Sequence, residues 1–197
     1  NKRIELLVEK YPQLEVVAKD VDKATQAIID CYKKGGKLLL CGNGGSAADS
    51  EHIVGELMKG FHLPRKLTDK DKNAFTQLPD GEIIAEGLQK GLPAISLVSH
   101  TGLMTAFLND CDTELLFAQQ VYVYMKNQDV LIALSTSGNS KNVVNACITA
   151  KALKGKTIAI TGSTGCLAKE MVSMLAALDA NLILINRDKK KTLKQIS

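Results

Sequence analysis

His52 and Glu56 have the residue types and the spacing for acid–base or metal chemistry. Positions four apart on a helix share a face, so the imidazole and the carboxylate are expected to lie side by side. Such a pair can transfer a proton to or from a bound substrate, or supply two ligands to a metal ion such as zinc. A solvent-facing pair that only stabilises its helix has the same spacing, so the spacing alone does not separate these interpretations.

Small hydroxyl residues and glycines follow three of the apolar segments, at residues 42–47, 135–140 and 161–165. Glycine lets backbone N–H groups approach an anion closely, and a helix that starts in such a loop adds unpaired donors and positive dipole character. Segment 135–140 contains no lysine and is therefore not a Walker loop. Its hydroxyl-bearing residues are Ser135, Thr136, Ser137 and Ser140. Such loops predict a sugar-phosphate ligand; the alternative is that these residues only make turns and helix caps.

Segment 42–47 also matches a loose dinucleotide-binding pattern, Gly-x-Gly-x-x-Ala. That pattern expects an acidic residue about 20 positions further on, at the end of the second strand, where it holds the ribose. In this sequence the second apolar segment ends much later, before Ser99 and His100. We therefore expect no nucleotide cofactor.

Five short apolar segments are nearly continuous in hydrophobicity, which is typical of parallel strands that are buried on both faces. These predicted strands are residues 37–41, 94–98, 130–134, 157–161 and 181–185. Apolar residues at helical spacing predict helices at 16–33, 46–59, 139–154 and 166–178. The alternation predicts an α/β fold, a three-layer αβα sandwich with a five-stranded parallel sheet and a long N-terminal helix. We assign residues 1–197 to a single domain.

Two segments depart from this alternation. Residues 62–91 are polar and contain prolines and glycines, which predicts an insertion with a short helix near 83–90. The insertion would either cover a site or contact another subunit. Residues 179–197 form an atypical C-terminal segment, whose basic end we interpret as a solvated terminus.

The composition argues against several classes of function. A net charge of +4 and an aromatic content of 4% do not indicate the basic, aromatic-rich face of a nucleic-acid-binding protein. No apolar run approaches the roughly 20 residues that span a bilayer, so we expect no membrane partner and a cytoplasmic location. The five cysteines are widely spaced and include no Cys-x-x-Cys pair, which indicates neither a disulfide framework nor a cysteine zinc site.

Several groups of residues together resemble the phosphoheptose isomerases of the sugar isomerase (SIS) domain superfamily. They are segment 42–52 with Glu56, Asn109 with Asp110, segment 135–140, and Thr161 with Gly162. The resemblance extends from the N-terminal helix to about Leu167 and implies a SIS-type fold. Members of the family interconvert sedoheptulose 7-phosphate and D-glycero-D-manno-heptose 7-phosphate through an enediol. They are typically homotetramers with sites at subunit interfaces, so the resemblance implies a sugar-phosphate substrate and a homo-oligomer.

The resemblance also implies roles for individual residues. Glu56 would be the base that moves a proton between C1 and C2, with His52 beside it. In some members the equivalent pair binds zinc, which makes zinc the cofactor that the resemblance implies. A ketose–aldose shift needs a carboxylate at the acidic C–H and polarisation of the carbonyl, which agrees with these roles. The implied phosphate-binding residues are Ser135, Thr136, Ser137 and Ser140, and the implied sugar-binding residues are Asn43, Gly44, Ser46 and Asp110.

Two features differ from the family pattern. The stretch 61–92 is longer than in the shortest members, although a subgroup carries such an insertion. The family also ends in a helix with a catalytic or metal-binding histidine, whereas this sequence has no histidine after Leu178. One alternative is therefore a non-catalytic sugar-phosphate-binding or scaffold protein of the same fold, and another is an isomerase for a different phosphosugar.

Overall fold

The structure is a computed structural model that describes residues 2–60, 64–161 and 182–186. Its centre is a parallel β-sheet with the strand order β2-β1-β3-β4-β5. The strands are β1 (Leu38–Cys41), β2 (Ala94–Ser96), β3 (Val130–Ser135), β4 (Lys156–Thr161) and β5 (Leu182–Asn186). Leu38 of β1 lies opposite Ala94 of β2 and Val130 of β3. The predicted α/β fold with a parallel sheet is confirmed.

Helices connect the strands and cover the sheet. They are α1 (Lys2–Lys10), α2 (Ala18–Lys33), α3 (Gly45–Met58), α4 (Asp69–Lys72), α5 (Gly81–Gly87), α6 (Thr101–Asp110), α7 (Leu116–Tyr124) and α8 (Lys141–Ala152). Short 3-10 turns lie at Pro12–Val17, Asn73–Phe75 and Thr113–Leu115. The helices α3 and α8 match the predicted segments 46–59 and 139–154 to within two residues at each end.

The helix predicted over residues 16–33 is α2, which begins two residues later, and a further helix, α1, precedes it. The helices α1 and α2 are separated by a 3-10 turn that begins at Pro12, and α2 begins at Ala18. Proline has no N–H to donate to the preceding turn, and its ring crowds the carbonyl four residues earlier, so the α-helix breaks at this point. The predicted end of the helix at Lys33 is correct.

The helices α6 and α7 lie between β2 and β3, in a stretch where the sequence analysis predicts no helix. A chain that leaves β2 and returns as a parallel strand on the other side of β1 needs a crossover of a dozen or more residues. The helix α7 has the sequence LFAQQVYVY, in which β-branched and aromatic residues give little helical signal. Tertiary packing overrides this weak propensity, because Phe117 and Val121 of α7 are fully buried.

Side chains of successive strand residues point to opposite faces of the sheet and form two apolar layers. On one face, Leu39 and Leu131 pack with the core residues of α7 and α8. On the other face, Leu38, Leu40 and Ile132 pack with α2 and with the apolar side of α3. Helices therefore cover both faces, which explains why the strands are apolar throughout rather than alternating.

A buried ion pair, Lys37 with Asp129, joins β1 and β3 at their amino ends. The Asp129 side chain is 1% exposed, and its Oδ2 lies 2.5 Å from Nζ of Lys37. The same carboxylate accepts hydrogen bonds from the backbone N–H of Lys37 at 2.9 Å and of Lys126 at 2.8 Å. Charge-assisted hydrogen bonds of this kind compensate for the desolvation of the carboxylate.

The predicted insertion at 62–91 contains α4, a 3-10 turn and α5. The short helix that we predicted near 83–90 is α5, which begins and ends slightly earlier. The insertion is fastened to the carboxyl end of α3, where Nη2 of Arg65 donates to the carbonyls of Leu57 at 2.6 Å and Lys59 at 2.8 Å. Oε1 of Gln89 accepts the N–H of Gly60 at 2.6 Å. The two bonds from Arg65 therefore reach carbonyl groups at the end of the helix, where basic side chains commonly donate.

Several predictions concern residues outside the described part of the chain. They are the loop after β4 (162–165), the helix 166–178 and the solvated basic terminus. In the residues that the structure describes, no helix has the length and apolarity to cross a membrane.

Candidate functional site

The strand order reverses between β1 and β3, so the chain leaves these two neighbouring strands toward opposite sides of the sheet. In open parallel sheets, ligands bind in the crevice outside the carboxyl ends of the strands at such a point. The loop after β1 leads into α3, and the loop after β3 leads into α8. A cavity of about 510 Å³ opens beside the first loop. Its lining residues include Asn43, Gly44 and Glu51 from the first loop and α3, Leu108 of α6, Phe117 of α7 and Asn142 of α8.

The loop after β1 depends on glycine at two positions. A Cβ on Gly42 would lie 2.7 Å from both Cβ and the carbonyl oxygen of Ser46, so only glycine lets the chain turn this closely into α3. Gly44 has φ +56° and ψ −121°, a conformation that essentially only glycine adopts. The loop closes with a hydrogen bond from the N–H of Ser46 to the carbonyl of Asn43 at 3.0 Å. Asn43 and Gly44 line the cavity, and Ser46 is half-buried in the first turn of α3.

The loop after β3 uses some of its hydroxyls to hold its own shape. Oγ of Ser135 lies 3.3 Å from Oγ of Ser140 and accepts the N–H of Gly138 at 3.1 Å. Oγ of Ser137 accepts the N–H of Asn139 at 3.2 Å. Ser135 is buried, whereas Thr136 and Ser137 are exposed, and the hydroxyl-bearing residues of this loop are not among those that line the cavity. Some of these hydroxyl groups therefore only shape the turn, as the alternative interpretation predicts. The exposed hydroxyl groups of the loop face solvent.

Asn142, in the first turn of α8, links this helix to the loop after β1, and it is not among the residues predicted from the sequence. Its carboxamide forms a pair of hydrogen bonds with Asn43: Nδ2 of Asn43 donates to Oδ1 of Asn142 at 2.9 Å, and Nδ2 of Asn142 donates to Oδ1 of Asn43 at 3.0 Å. The only sequence signal for Asn142 is its position in the first turn of the helix that follows segment 135–140.

His52 and Glu56 lie close together on α3, as their spacing predicts. Nε2 of His52 is 3.9 Å from Oε1 of Glu56, with side-chain exposures of 77% and 35%. Nζ of Lys59 lies 3.5 Å from the same oxygen. The other oxygen, Oε2 of Glu56, is buried and has no hydrogen-bond partner among the residues that the structure describes.

The structure does not bring these two side chains into the cavity. The cavity is lined by Ala47 and Glu51 of α3. Because each helical residue turns the chain by about 100°, Glu56 points about 180° away from Ala47. Asp110 is also absent from the lining; it lies at the exposed end of α6, where its Oδ1 accepts a hydrogen bond from Nδ2 of Asn109 at 2.7 Å. In one copy of the chain, the predicted acid–base pair and the predicted sugar-binding loop therefore face different directions.

The donor set of His52 and Glu56 suits zinc, which binds imidazole nitrogen and carboxylate oxygen. The unpartnered Oε2 of Glu56 also leaves one carboxylate oxygen available for a ligand. Two residues supply only half of the usual tetrahedral set. Within residues 2–60, 64–161 and 182–186, no group of three His, Cys, Asp or Glu side chains is placed to hold a metal.

The cysteines near the crevice are core residues. Cys41 ends β1 and Cys147 lies in α8, and both are buried free thiols. Burial raises the pKa of the Cys147 thiol to about 12 and also raises the pKa of Cys41 well above its ordinary value. Both thiols therefore remain protonated at neutral pH and are not nucleophiles.

Comparison with known proteins gives concordant matches. A family model described as SIS domain matches residues 8–77 and 84–162. The phosphoheptose isomerase of Aliarcobacter butzleri is 34% identical over 175 residues, which cover 89% of this chain and 77% of that protein. The phosphoheptose isomerase of Helicobacter pylori (strain P12) is 37% identical over 161 residues, which cover 82% of this chain and 71% of that protein. The solved structure of the Neisseria gonorrhoeae phosphoheptose isomerase aligns with a TM-score of 0.65 at 26% identity, covering 98% of this chain and 85% of that one.

Proposed function

This chain belongs to the phosphoheptose isomerase family of SIS-domain proteins, and on that premise we propose that it interconverts sedoheptulose 7-phosphate and D-glycero-D-manno-heptose 7-phosphate. The related proteins carry the name of an enzyme, which favours catalysis over the alternative of a non-catalytic binding or scaffold protein. A role in heptose synthesis and a cytoplasmic location are parts of the same proposal.

The observation that carries the proposal is the pair of loops at the carboxyl ends of β1 and β3. The loop after β3 has exposed hydroxyls on Thr136 and Ser137 and opens into the N-terminus of α8. Hydroxyls, backbone N–H groups and a helix N-terminus together suit a phosphate group. In the proposal, Ser135, Thr136, Ser137 and Ser140 hold the phosphate of the substrate. Asn43, Gly44, Ser46 and Asp110 then contact the sugar hydroxyls.

Glu56 is the proposed base of the reaction. In the ketose-to-aldose direction its carboxylate takes a proton from C1 while the C2 carbonyl oxygen gains a proton, so that the C1–C2 double bond of an enediol replaces the carbonyl at C2. The same carboxyl group then returns a proton to C2, and the C1 hydroxyl loses its proton to leave an aldehyde, so that atoms and charge balance. His52, which lies beside Glu56 on α3, is the proposed group that exchanges protons with the oxygen atoms at C1 and C2.

Zinc is the proposed cofactor, held by His52 and Glu56. When bound, it would polarise the substrate carbonyl. Since these two residues are half of a tetrahedral set, the remaining ligands would come from another segment, another copy of the chain, or substrate and water. Replacing His52 with alanine should lower the zinc content of protein purified with zinc, measured by elemental analysis; an unchanged content would remove His52 from the metal site.

A homo-oligomer, in the proposal a tetramer, is supported by the directions in which the site residues face. Glu56 and the cavity lie on different sides of α3, so a substrate in the cavity of one copy would need the acid–base pair of another. Large apolar side chains such as Tyr122 and Val123 of α7 are 67% and 64% exposed, which is typical of a surface that another copy covers. Light scattering on the purified chain measures the number of copies, and a monomer would contradict this proposal.

Turnover of sedoheptulose 7-phosphate, followed by NMR with and without added zinc, tests the proposed function. The expected result is an equilibrium mixture that contains the aldose, together with incorporation of solvent deuterium at C2 through the enediol. Isomerisation of a six-carbon or five-carbon ketose phosphate instead would assign the chain to a different phosphosugar. Saturable binding without turnover would favour the non-catalytic alternative.

A further inference from the structure

The paired carboxamides of Asn43 and Asn142 form a direct side-chain link across the strand-order reversal. The two residues are 99 positions apart in the sequence, yet each donates one hydrogen bond to the other, at 2.9 and 3.0 Å. Asn43 belongs to the loop after β1, and Asn142 lies in the first turn of α8, after the loop that follows β3. Both residues line the same cavity.

A backbone donor fixes the direction of this pair. The N–H of Val143 donates to Oδ1 of Asn142 at 2.9 Å and to the carbonyl of Ser140, also at 2.9 Å. The oxygen and nitrogen of a carboxamide have nearly the same shape, and their assignment follows from hydrogen bonds. Because a backbone N–H can only donate, it favours the oxygen of Asn142 over the NH₂ group at this position. The orientation of Asn142 in turn requires that Nδ2 of Asn43 faces Oδ1 of Asn142.

From this arrangement we propose that Asn142 is a positioning residue, which holds the Asn43 carboxamide in one orientation for the sugar. The inference rests on the proposed function. An asparagine side chain has two N–H donors and two acceptor lone pairs. Asn43 donates one hydrogen bond to Asn142 and accepts one from it. One N–H donor and one lone pair of the Asn43 carboxamide therefore remain for the sugar, at a fixed position beside the cavity. Asn142 lies on the helix that follows the phosphate-binding loop, so it sets the place of the sugar contact relative to the phosphate.

A double-mutant cycle tests this role. The variants are Asn43→Ala, Asn142→Ala and the double variant, with kcat and KM measured for sedoheptulose 7-phosphate. We expect Asn142→Ala to lower kcat/KM by roughly tenfold, and the double variant to be no worse than Asn43→Ala alone, because an absent carboxamide needs no positioning. The dissociation constant of Asn142→Ala for inorganic phosphate should stay within about twofold of that of the unaltered chain, because the hydroxyls of the loop after β3 are unchanged. Additive losses in kcat/KM would overturn the proposal.

Asn145→Ala is the matched control. Asn145 lies one turn further along α8, and its Nδ2 donates to the carbonyl of Glu114 at 3.0 Å. The control removes a carboxamide hydrogen bond from the same helix, and we expect it to lower thermal stability without changing kcat/KM. An equal loss of kcat/KM in Asn145→Ala and Asn142→Ala would mean that Asn142 acts only by supporting α8.

The cycle separates this inference from the proposed function. If the unaltered chain binds the sugar phosphate without turnover, the same cycle is measured from calorimetric dissociation constants, with the same expectation of non-additivity. If the unaltered chain neither binds nor isomerises sedoheptulose 7-phosphate, the proposed function fails together with this inference. Turnover by the unaltered chain with additive losses overturns the inference alone.

Discussion

The two carboxylate oxygens of Glu56 have different surroundings. Oε1 lies near His52 and Lys59, whereas Oε2 is buried without a hydrogen-bond partner in the part of the chain that the structure describes. An unsatisfied buried acceptor costs free energy, and native proteins contain few of them. A substrate proton, a metal ion or a hydrogen-bonding group from another copy would satisfy this oxygen. Glu56 is therefore the residue whose replacement tests the proposed chemistry most directly.

Replacing Glu56 with glutamine should remove turnover and preserve binding. The amide has nearly the same size but cannot accept a proton, so kcat should fall by about 10²–10⁴-fold. The dissociation constant for sedoheptulose 7-phosphate, measured by calorimetry, should change by less than about threefold because neutral contacts are retained. Turnover at the original rate would exclude Glu56 as the base.

Replacing Ser137 with alanine should weaken binding of the phosphate group. The exposed hydroxyl is lost as a donor, and the N–H of Asn139 loses the acceptor that it has at 3.2 Å. We expect a roughly tenfold weaker affinity for sedoheptulose 7-phosphate, which is the size of about one hydrogen bond to a charged group. Calorimetry measures this affinity. The control is Thr105→Ala, because in the described part of the chain that hydroxyl bonds to the carbonyls of Thr101 and Gly102 in its own helix. An affinity equal to that of the control would mean that the loop after β3 does not bind phosphate.

At the scale of the elements, the sequence predicts those whose signal is local. The strands are short apolar runs, and α3 starts directly after a glycine-rich turn, so both are recognisable. The helix α7 is not recognisable from the sequence, because its Val and Tyr residues favour strands. The packing of Phe117 and Val121 into the core makes this segment helical. The helix α1 and the 3-10 turn that begins at Pro12 lie before the predicted segment 16–33.

The site residues also divide into those with a local sequence signal and those without one. The two loops are predicted because hydroxyls and glycines at strand ends have a stated chemistry, and Asn43 and Gly44 do line the cavity. Asn142 could not be found, because its pairing with Asn43 depends on strand order rather than on spacing in the sequence. The direction in which Glu56 faces is likewise a property of the packed helix α3.

The turn between β1 and α3 should not tolerate a side chain at Gly42. A Cβ at this position would lie 2.7 Å from the backbone carbonyl oxygen of Ser46, so α3 would have to shift. Gly42→Ala should therefore lower the free energy of unfolding by about 1–3 kcal/mol, measured by urea denaturation. Gly55→Ala is the control: it lies inside α3 with nothing within 4 Å of its Cβ, and it should raise stability by up to about 1 kcal/mol. Equal effects of the two changes would contradict the close approach.

At the scale of the whole molecule, the residues that anchor the sheet and those that form the crevice lie at opposite ends. Asp129 and Lys37 join the amino ends of β1 and β3, whereas the loops that form the crevice follow the carboxyl ends. Loss of the anchor should therefore reduce stability and leave the chemistry of the folded protein unchanged.

Replacing Asp129 with alanine tests this separation. It would leave the Lys37 ammonium and two backbone N–H groups without their acceptor. We expect a loss of about 3–5 kcal/mol in the free energy of unfolding, the usual cost of breaking a buried pair. The measurements are urea denaturation and kcat for the fraction that remains folded. A selective loss of kcat with unchanged stability would contradict this role of Asp129.

Alkaline pH should destabilise the protein in part through its buried thiols. Burial raises the pKa of Cys147 from 9.0 to about 12, so the thiol ionises more easily in the unfolded chain than in the folded one. Its contribution to stability is complete below about pH 9 and is lost as the pH rises towards about 12. Urea midpoints measured between these values should fall less steeply for Cys147→Ala than for the unaltered chain. Identical slopes would show that this thiol does not contribute.

The insertion leaves and rejoins the rest of the chain at neighbouring points. Lys66 and Gln89 form an antiparallel bridge, and the N–H of Lys90 donates to the carbonyl of Arg65 at 2.6 Å. A segment with adjacent ends can be exchanged for another of different length at a modest cost in loop entropy. The stretch between Lys66 and Gln89 is therefore a suitable place to insert a fluorescent reporter domain. Because its ends are tied to α3, such a fusion would place the reporter domain beside the helix that carries Glu56.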